Sequence, residues 1–123
     1  AASRLGVTIE QVLWSNVEAV LQAARAVDLI VSTVPAGVAD PLAQCLDVRD
    51  GQVLLDVVYS PRNTALRSVF EAGGGIIAEG TDMLVYQAGA QVQLMTGRSP
   101  DIDVMRTALE EELERRSREG AAS

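Results

Sequence analysis

Three short runs decide what this chain can become: DLIVSTV at residues 28–34, QVLLDVVY at residues 52–59 and GIIAEG at residues 75–80. The first two carry β-branched and aliphatic side chains on both faces of an extended backbone. That is the pattern of strands covered on both sides in a parallel sheet, since a half-solvated strand would alternate apolar with polar. GIIAEG supplies a third, shorter strand. Each run is stopped by glycine or proline in company with a hydroxyl, in STVPAG, YSPRN and EGTDM. A fourth run, VTIEQVL at residues 7–13, also reads as a strand.

Helical spacing fills the intervals. Ser15 can cap a helix running toward Arg25 with Val17, Val20, Leu21 and Ala24 on one face. A short helix is expected at residues 41–46, and another at residues 64–72 ends at GGG (residues 73–75). Two helices then close the chain. Thr81 can cap the first, and Gly97 stands where a left-handed terminating residue belongs. Ser99 and Pro100 offer a cap and a first-turn proline for the second, whose Ile102, Met105, Leu109 and Leu113 form an inward stripe. Its outer face sets Glu111, Glu112 and Glu114 four residues before Arg115, Arg116 and Arg118, the signature of a solvated helix. Residues 119–123 are expected to fray. The order β-α-β-α-β-α-β-α-α predicts an α/β fold: a partial Rossmann-like, doubly wound parallel sheet closed by two C-terminal helices. Ligands of such sheets bind beyond the carboxyl ends of the strands, which singles out the three loops.

Charge and composition remove some functions. A chain of 123 residues with 48% hydrophobic content suffices for one core. Its net charge of -7 disfavours nucleic acid and anionic membrane surfaces, which both select a positive patch. No run is long enough to span a bilayer, so a cytoplasmic location is expected. The basic residues are all arginine, and the chain has neither lysine nor histidine, so the side chains most easily tuned into a neutral-pH base are missing. No metal-ligand spacing stands out. Cys45, the single cysteine, lies in an apolar helical pattern and is expected to be a packed, reduced thiol.

The stretch GTDMLVYQAGAQVQLMTG (residues 80–97) poses the sharpest question, because Gln87 and Gln91 stand one helical turn apart beside an apolar stripe of Leu84, Val85, Ala88, Val92 and Met95. Such amides suit either a wet surface or a pocket wall. An amide both donates and accepts, so Gln87 one turn after Met83 would suit a polyol ligand; Gln91 is expected to bond backbone or solvent. Asp56, inside an apolar strand, is expected to have a structural hydrogen-bonding role in place of a catalytic one, and Asp82 to be a helix-start charge.

Taken in order, DLIVSTVPAG, LLDVVYSPRNTALR and EGTDMLVYQAGAQVQLMTG resemble the cofactor-domain half of shikimate dehydrogenases, from residue 27 to about 109. That family usually reads near N-T/A-T-P-x-G, D-x-x-Y-x-P-x-x-T-x-L and G-x-x-M-L-V-x-Q-A at these places. The resemblance implies reversible hydride transfer between 3-dehydroshikimate and a nicotinamide cofactor, normally NADP. It implies that Gly80 accepts the nicotinamide carboxamide through its carbonyl, that Met83 packs on the ring and that Val57 borders it. Ser32, Thr33 and Val34 would follow the ribose and phosphates, with Ser32 in place of the family's usual asparagine. Gln87 and Tyr59 would contact the substrate. The family's catalytic lysine and aspartate, its substrate domain and its glycine-rich diphosphate turn have no counterpart in this sequence, so no catalytic residue is assigned here. Residues 1–118 are therefore read as the carboxyl-terminal part of a nicotinamide-cofactor-binding domain, with the strand at 7–13 outermost and separated from the rest of the sheet. A quinate-using variant and a non-catalytic nucleotide-binding module remain open alternatives.

Overall fold

A computed structural model describes residues 2–58 and 63–121. Its elements are α1 (Ala2–Leu5), α2 (Val17–Ala26), β1 (Leu29–Ser32), α3 (Asp40–Ala43), β2 (Val53–Asp56), α4 (Ala65–Ala72), β3 (Ile76–Glu79), α5 (Gly80–Thr96) and α6 (Ile102–Ala121). The three runs that dominate the sequence become the three strands. They form one parallel sheet in the order β1-β2-β3, with Ser32 opposite Asp56 and Asp56 opposite Glu79, so all three carboxyl ends finish level.

One face of that sheet carries Ile30, Leu54 and Ile77 into the core, where Leu21 of α2, Ala43 of α3, and Leu66 and Phe70 of α4 meet them. Leu54 and Phe70 are wholly buried. Burying a leucine or phenylalanine side chain is worth about 1.5–3 kcal/mol, so this layer carries most of the stability. Gln52 is a polar exception at the amino end of β2. Its buried Nε2 donates to the Ala24 and Val27 carbonyls at 2.7 and 2.8 Å, satisfying carbonyls that the end of α2 leaves without helical partners. α5 follows β3 without a linker and packs on α6, where a Cβ added to Gly89 would come within 2.6 Å of Ile102.

Residues 7–13 do not form a strand. They are exposed and join no ladder. A strand is held by ladder bonds to a neighbour, and hydrophobic alternation alone cannot supply them. Three expected caps also move. Asn16, not Ser15, caps α2, its Oδ1 accepting the Ala19 amide at 3.2 Å. α5 begins at Gly80 with Glu79 before it and no side-chain cap, so Thr81 lies inside the first turn. Asp101 takes the place expected of Ser99, its Oδ1 accepting the Asp103 and Val104 amides.

Gly97 does end α5 in the left-handed region at φ 70°, and Thr64, where the sequence begins a helix without naming a cap, caps α4. Cys45 is exposed, because α3 and the turn after it direct Ala43 and Leu46 inward and leave Cys45 outside. Met95 is exposed as well, since the buried stripe of α5 does not extend past Val92. On α6, Ile102, Met105, Leu109 and Leu113 are the half-buried row. Glu112–Arg116 and Glu114–Arg118 pair as spaced, whereas Arg115 joins Glu112 and Glu119 in place of Glu111. The helix continues to Ala121.

Candidate functional site at the carboxyl edge of the sheet

Level strand ends place three backbone segments in a row. Ser32 closes β1 and is almost buried; its carbonyl accepts the Val57 amide at 3.0 Å, which ties the loop after β2 to the end of β1. Gly80, opening α5, lies against the end of β2: a Cβ there would stand 2.6 Å from the Asp56 carbonyl oxygen and 3.2 Å from the Val57 Cα. Only glycine lets α5 start this close. Ser32, Val57 and Gly80 are thus brought together by the strand ends. Thr33 is exposed at the rim, and Val34 turns back to pack on the core.

Met83 follows Gly80 by three residues on α5 and is partly exposed. Gln87, a turn further on, is exposed, as is Gln91. Tyr59 lies outside the described residues.

A chain of polar contacts fixes this edge, and only its first member was legible beforehand. The buried Asp56 carboxylate accepts the Thr64 hydroxyl at 2.7 Å and the Val58 amide at 3.2 Å. Thr64 in turn accepts the Arg67 amide as the α4 cap. Arg67 then forks onto Glu79 with bonds of 2.9 and 2.7 Å, and its Nε donates to Glu71 at 2.8 Å. The bonds to Glu79 hold the guanidinium further above its already high pKa; burial opposes them, and Glu71 adds to the rise. Asp56, Thr64, Arg67 and Glu79 therefore fasten β2, α4 and β3 to one another just below Val57 and Gly80.

The sequence signal for Arg67–Glu79 was weak, because the two stand twelve apart and meet only once β3 lies beside α4. On α5, Asp82 pairs with Arg106, whose guanidinium also lies 5.9 Å from the centre of the Tyr86 ring. Asp82 is thus both a first-turn charge and a tether for α6. Chemically, the edge offers backbone groups, short hydroxyls and a thioether. Its acidic side chains are engaged in holding the loops, so the arrangement is one for binding and orienting. Among the described residues, no group of three or more His, Cys, Asp or Glu side chains could hold a metal ion, and no helix is long and apolar enough to cross a membrane.

Comparison with known proteins gives this geometry a family. Residues 80–110, beginning at Gly80, match the family described as the shikimate 5'-dehydrogenase C-terminal domain. A shikimate dehydrogenase (NADP(+)) of Methanothermobacter thermautotrophicus is 31% identical over 107 residues, which cover 83% of this chain and 38% of that protein. Among solved structures, the shikimate dehydrogenase of Mycobacterium tuberculosis superposes with a TM-score of 0.71 at 34% identity, over 89% of this chain and 39% of that one. The shikimate 5-dehydrogenase of Thermus thermophilus, in complex with shikimate, superposes with a TM-score of 0.67 at 27% identity, over 92% of this chain and 40% of that one. The chain spans about two fifths of the length of these relatives.

Proposed function

Because the chain belongs to the shikimate dehydrogenase family and corresponds to the carboxyl-terminal portion of its members, we propose that it forms the nicotinamide-facing side of an NADP-dependent shikimate dehydrogenase. The reaction is reversible. Shikimate gives up a carbinol hydrogen as hydride and its hydroxyl proton to a base, leaving 3-dehydroshikimate; the bound nicotinamide supplies the hydride acceptor.

The observation that carries this reading is the row of Ser32, Val57 and Gly80 at the carboxyl edge, with Met83 one turn on. Ser32, Val57, Gly80 and Met83 carry no charge, and the neighbouring Asp56 and Glu79 carboxylates are bonded to Thr64 and Arg67. The closeness of Gly80 to Asp56 and Val57 puts α5's first turn directly beside the β2 loop. In this reading the Gly80 carbonyl accepts from the carboxamide, Met83 lies on the ring through its polarizable sulfur, and Val57 borders it. Ser32, Thr33 and Val34 follow the ribose and phosphates. Gln87 bonds a shikimate hydroxyl, and Tyr59 reaches the same substrate. Proton transfer belongs to the lysine and aspartate of the family's substrate domain, since this chain has no lysine or histidine. A cytoplasmic location is part of the same proposal.

The test is an assay of the full-length product of this reading frame with shikimate or quinate and with NADP or NAD. Shikimate-dependent NADPH formation is the expected result. Cofactor binding without turnover on either polyol would replace the enzyme by a nucleotide-binding module.

A further inference from the structure

α5 carries Met83 and Gln87, two of the side chains to which the proposed site assigns ligand contacts, yet little of its own packing fixes how it is turned about its axis. Of its seventeen residues three are buried, Gly80, Val85 and Gly89, and two of these have no side chain. The glycines let α5 come close to its neighbours, Gly80 to the end of β2 and Gly89 to Ile102 of α6. A surface without side-chain ridges, however, does little to oppose rolling.

Arg106 of α6 supplies what the glycines lack. It stands one turn beyond Ile102, and its guanidinium pairs with Asp82 while lying 5.9 Å from the centre of the Tyr86 ring, close enough for a cation–π contact. Asp82 and Tyr86 are themselves one helical turn apart, so a single cation grips two successive turns on one flank of α5. Met83 and Gln87 each follow a gripped residue by one position, which puts both about 100° further round the helix, on its exposed side. The Arg106 and Asp82 side chains are 32% and 44% exposed, so their pairing adds little to stability, and its consequence is orientation. In the family pattern G-x-x-M-L-V-x-Q-A, Asp82 and Tyr86 occupy open positions and Arg106 lies outside it, so the motif does not carry this clamp.

We propose that Arg106 is a positioning residue: by gripping Asp82 and Tyr86 from α6 it sets the roll of α5, and with it the placement of Met83 against the nicotinamide and of Gln87 against the substrate hydroxyl. This role rests on the shikimate dehydrogenase reading of the site. A side chain reaches about 5–6 Å from the helix axis, so a roll of about 10° carries its tip through about 1 Å. A displacement of that size at a reacting centre can cost about a hundredfold in rate. Arg106 touches neither ligand and acts through the helix that does.

The test uses the full-length product of this reading frame. Arg106→Gln removes the cation and should lower kcat/KM for shikimate about tenfold and weaken NADP binding about threefold or more, while the thermal midpoint falls by less than about 5 °C. Asp82→Asn breaks the pair from the α5 side and gives the same pattern; Tyr86→Phe, which keeps the ring face, retains more activity than Tyr86→Leu. Because Arg106 acts on the substrate through Gln87, adding Arg106→Gln to Gln87→Ala lowers kcat/KM at saturating NADP by no more than about threefold beyond Gln87→Ala alone. Losses that multiply in full would overturn the positioning role and leave the proposed function standing. So would an Arg106→Gln enzyme with the parent's kcat/KM and NADP affinity. A full-length protein that binds NADP without turning over shikimate or quinate would refute the catalytic reading alone; weaker NADP binding by Arg106→Gln would then support the clamp, and equal binding would overturn it. Absence of both turnover and NADP binding would overturn both.

Discussion

Replacing Gly80 by alanine is the most direct test of how the carboxyl edge is built. The added Cβ would stand 2.6 Å from the Asp56 carbonyl oxygen, about 0.8 Å inside ordinary van der Waals contact. That oxygen belongs to the last residue of β2, which is in register with both Ser32 and Glu79 and cannot retreat without disturbing two ladders. Overpacking of this kind costs about 1–3 kcal/mol, against a helix-propensity gain of at most about 1 kcal/mol in the first turn of α5. The net loss is roughly 1–2 kcal/mol. At about 4–8 °C per kcal/mol for a domain near this size, the thermal midpoint should fall by roughly 4–16 °C. Gly120→Ala is the control, because no atom lies within 4 Å of its built Cβ and it sits in the last turn of α6; its midpoint should hold or rise slightly. Scanning calorimetry of both variants decides the matter. A Gly80→Ala midpoint equal to that of the parent, or to that of Gly120→Ala, would show that α5 does not start in close contact with β2.

Thr64→Ala removes both the α4 cap and the hydroxyl that Asp56 accepts, so it should cost about 1–2 kcal/mol by urea titration, whereas Thr64→Ser should recover most of it. Gln87→Ala is exposed in this chain and should leave its stability within about 0.5 kcal/mol, yet in the active full-length enzyme it should lower kcat/KM for shikimate roughly tenfold to a hundredfold with cofactor affinity unchanged. Met83→Ala should show the opposite pattern, with weaker cofactor binding whichever polyol is offered. The Glu112 carboxyl is held down to about 2 from its ordinary 4.5, first by its bonds to Arg115 and then by Arg116. A depressed carboxylate stabilises the fold above its unfolded value, so this contribution should be present above pH 4.5 and lost as the pH falls toward 2. Glu112→Gln should therefore flatten the dependence of α6 helicity on pH across that window, as read by circular dichroism.

What the sequence revealed about the fold follows from which interactions are local. The runs at 28–34, 52–59 and 75–80 declare strands because burial on both faces demands apolar residues at consecutive positions, and the structure places a strand inside each. Gly97 was legible for the same reason: a residue at positive φ that ends a helix is settled within a few positions of chain. Ser15, Thr81 and Ser99 were not, because each stands within two or three residues of the true helix start. In those places the backbone path, and not the presence of a hydroxyl, selects Asn16, Glu79 and Asp101. Residues 7–13 fail for a different reason: alternation shows that a segment can be a strand, but only a neighbour makes it one.

The site divides along the same line. Gly80 was singled out only through the family resemblance, whereas Asp56 could be read because it sits in a local pattern, an acid inside an apolar run. The structure gives each a specific job, in the close start of α5 and in the bonds to Thr64 and Val58. Arg67 could not be read, since nothing in TALRSVF marks this arginine as the one that grips the end of β3. Its importance follows from geometry: loops that hold a ring must keep a fixed spacing, and the spacing of the β2 and β3 ends is set by the Asp56–Thr64–Arg67–Glu79 chain. Motif residues such as Asp56 and Thr64 therefore hold the edge in place, and Arg67 and Glu79, at positions the family pattern leaves open, complete that hold.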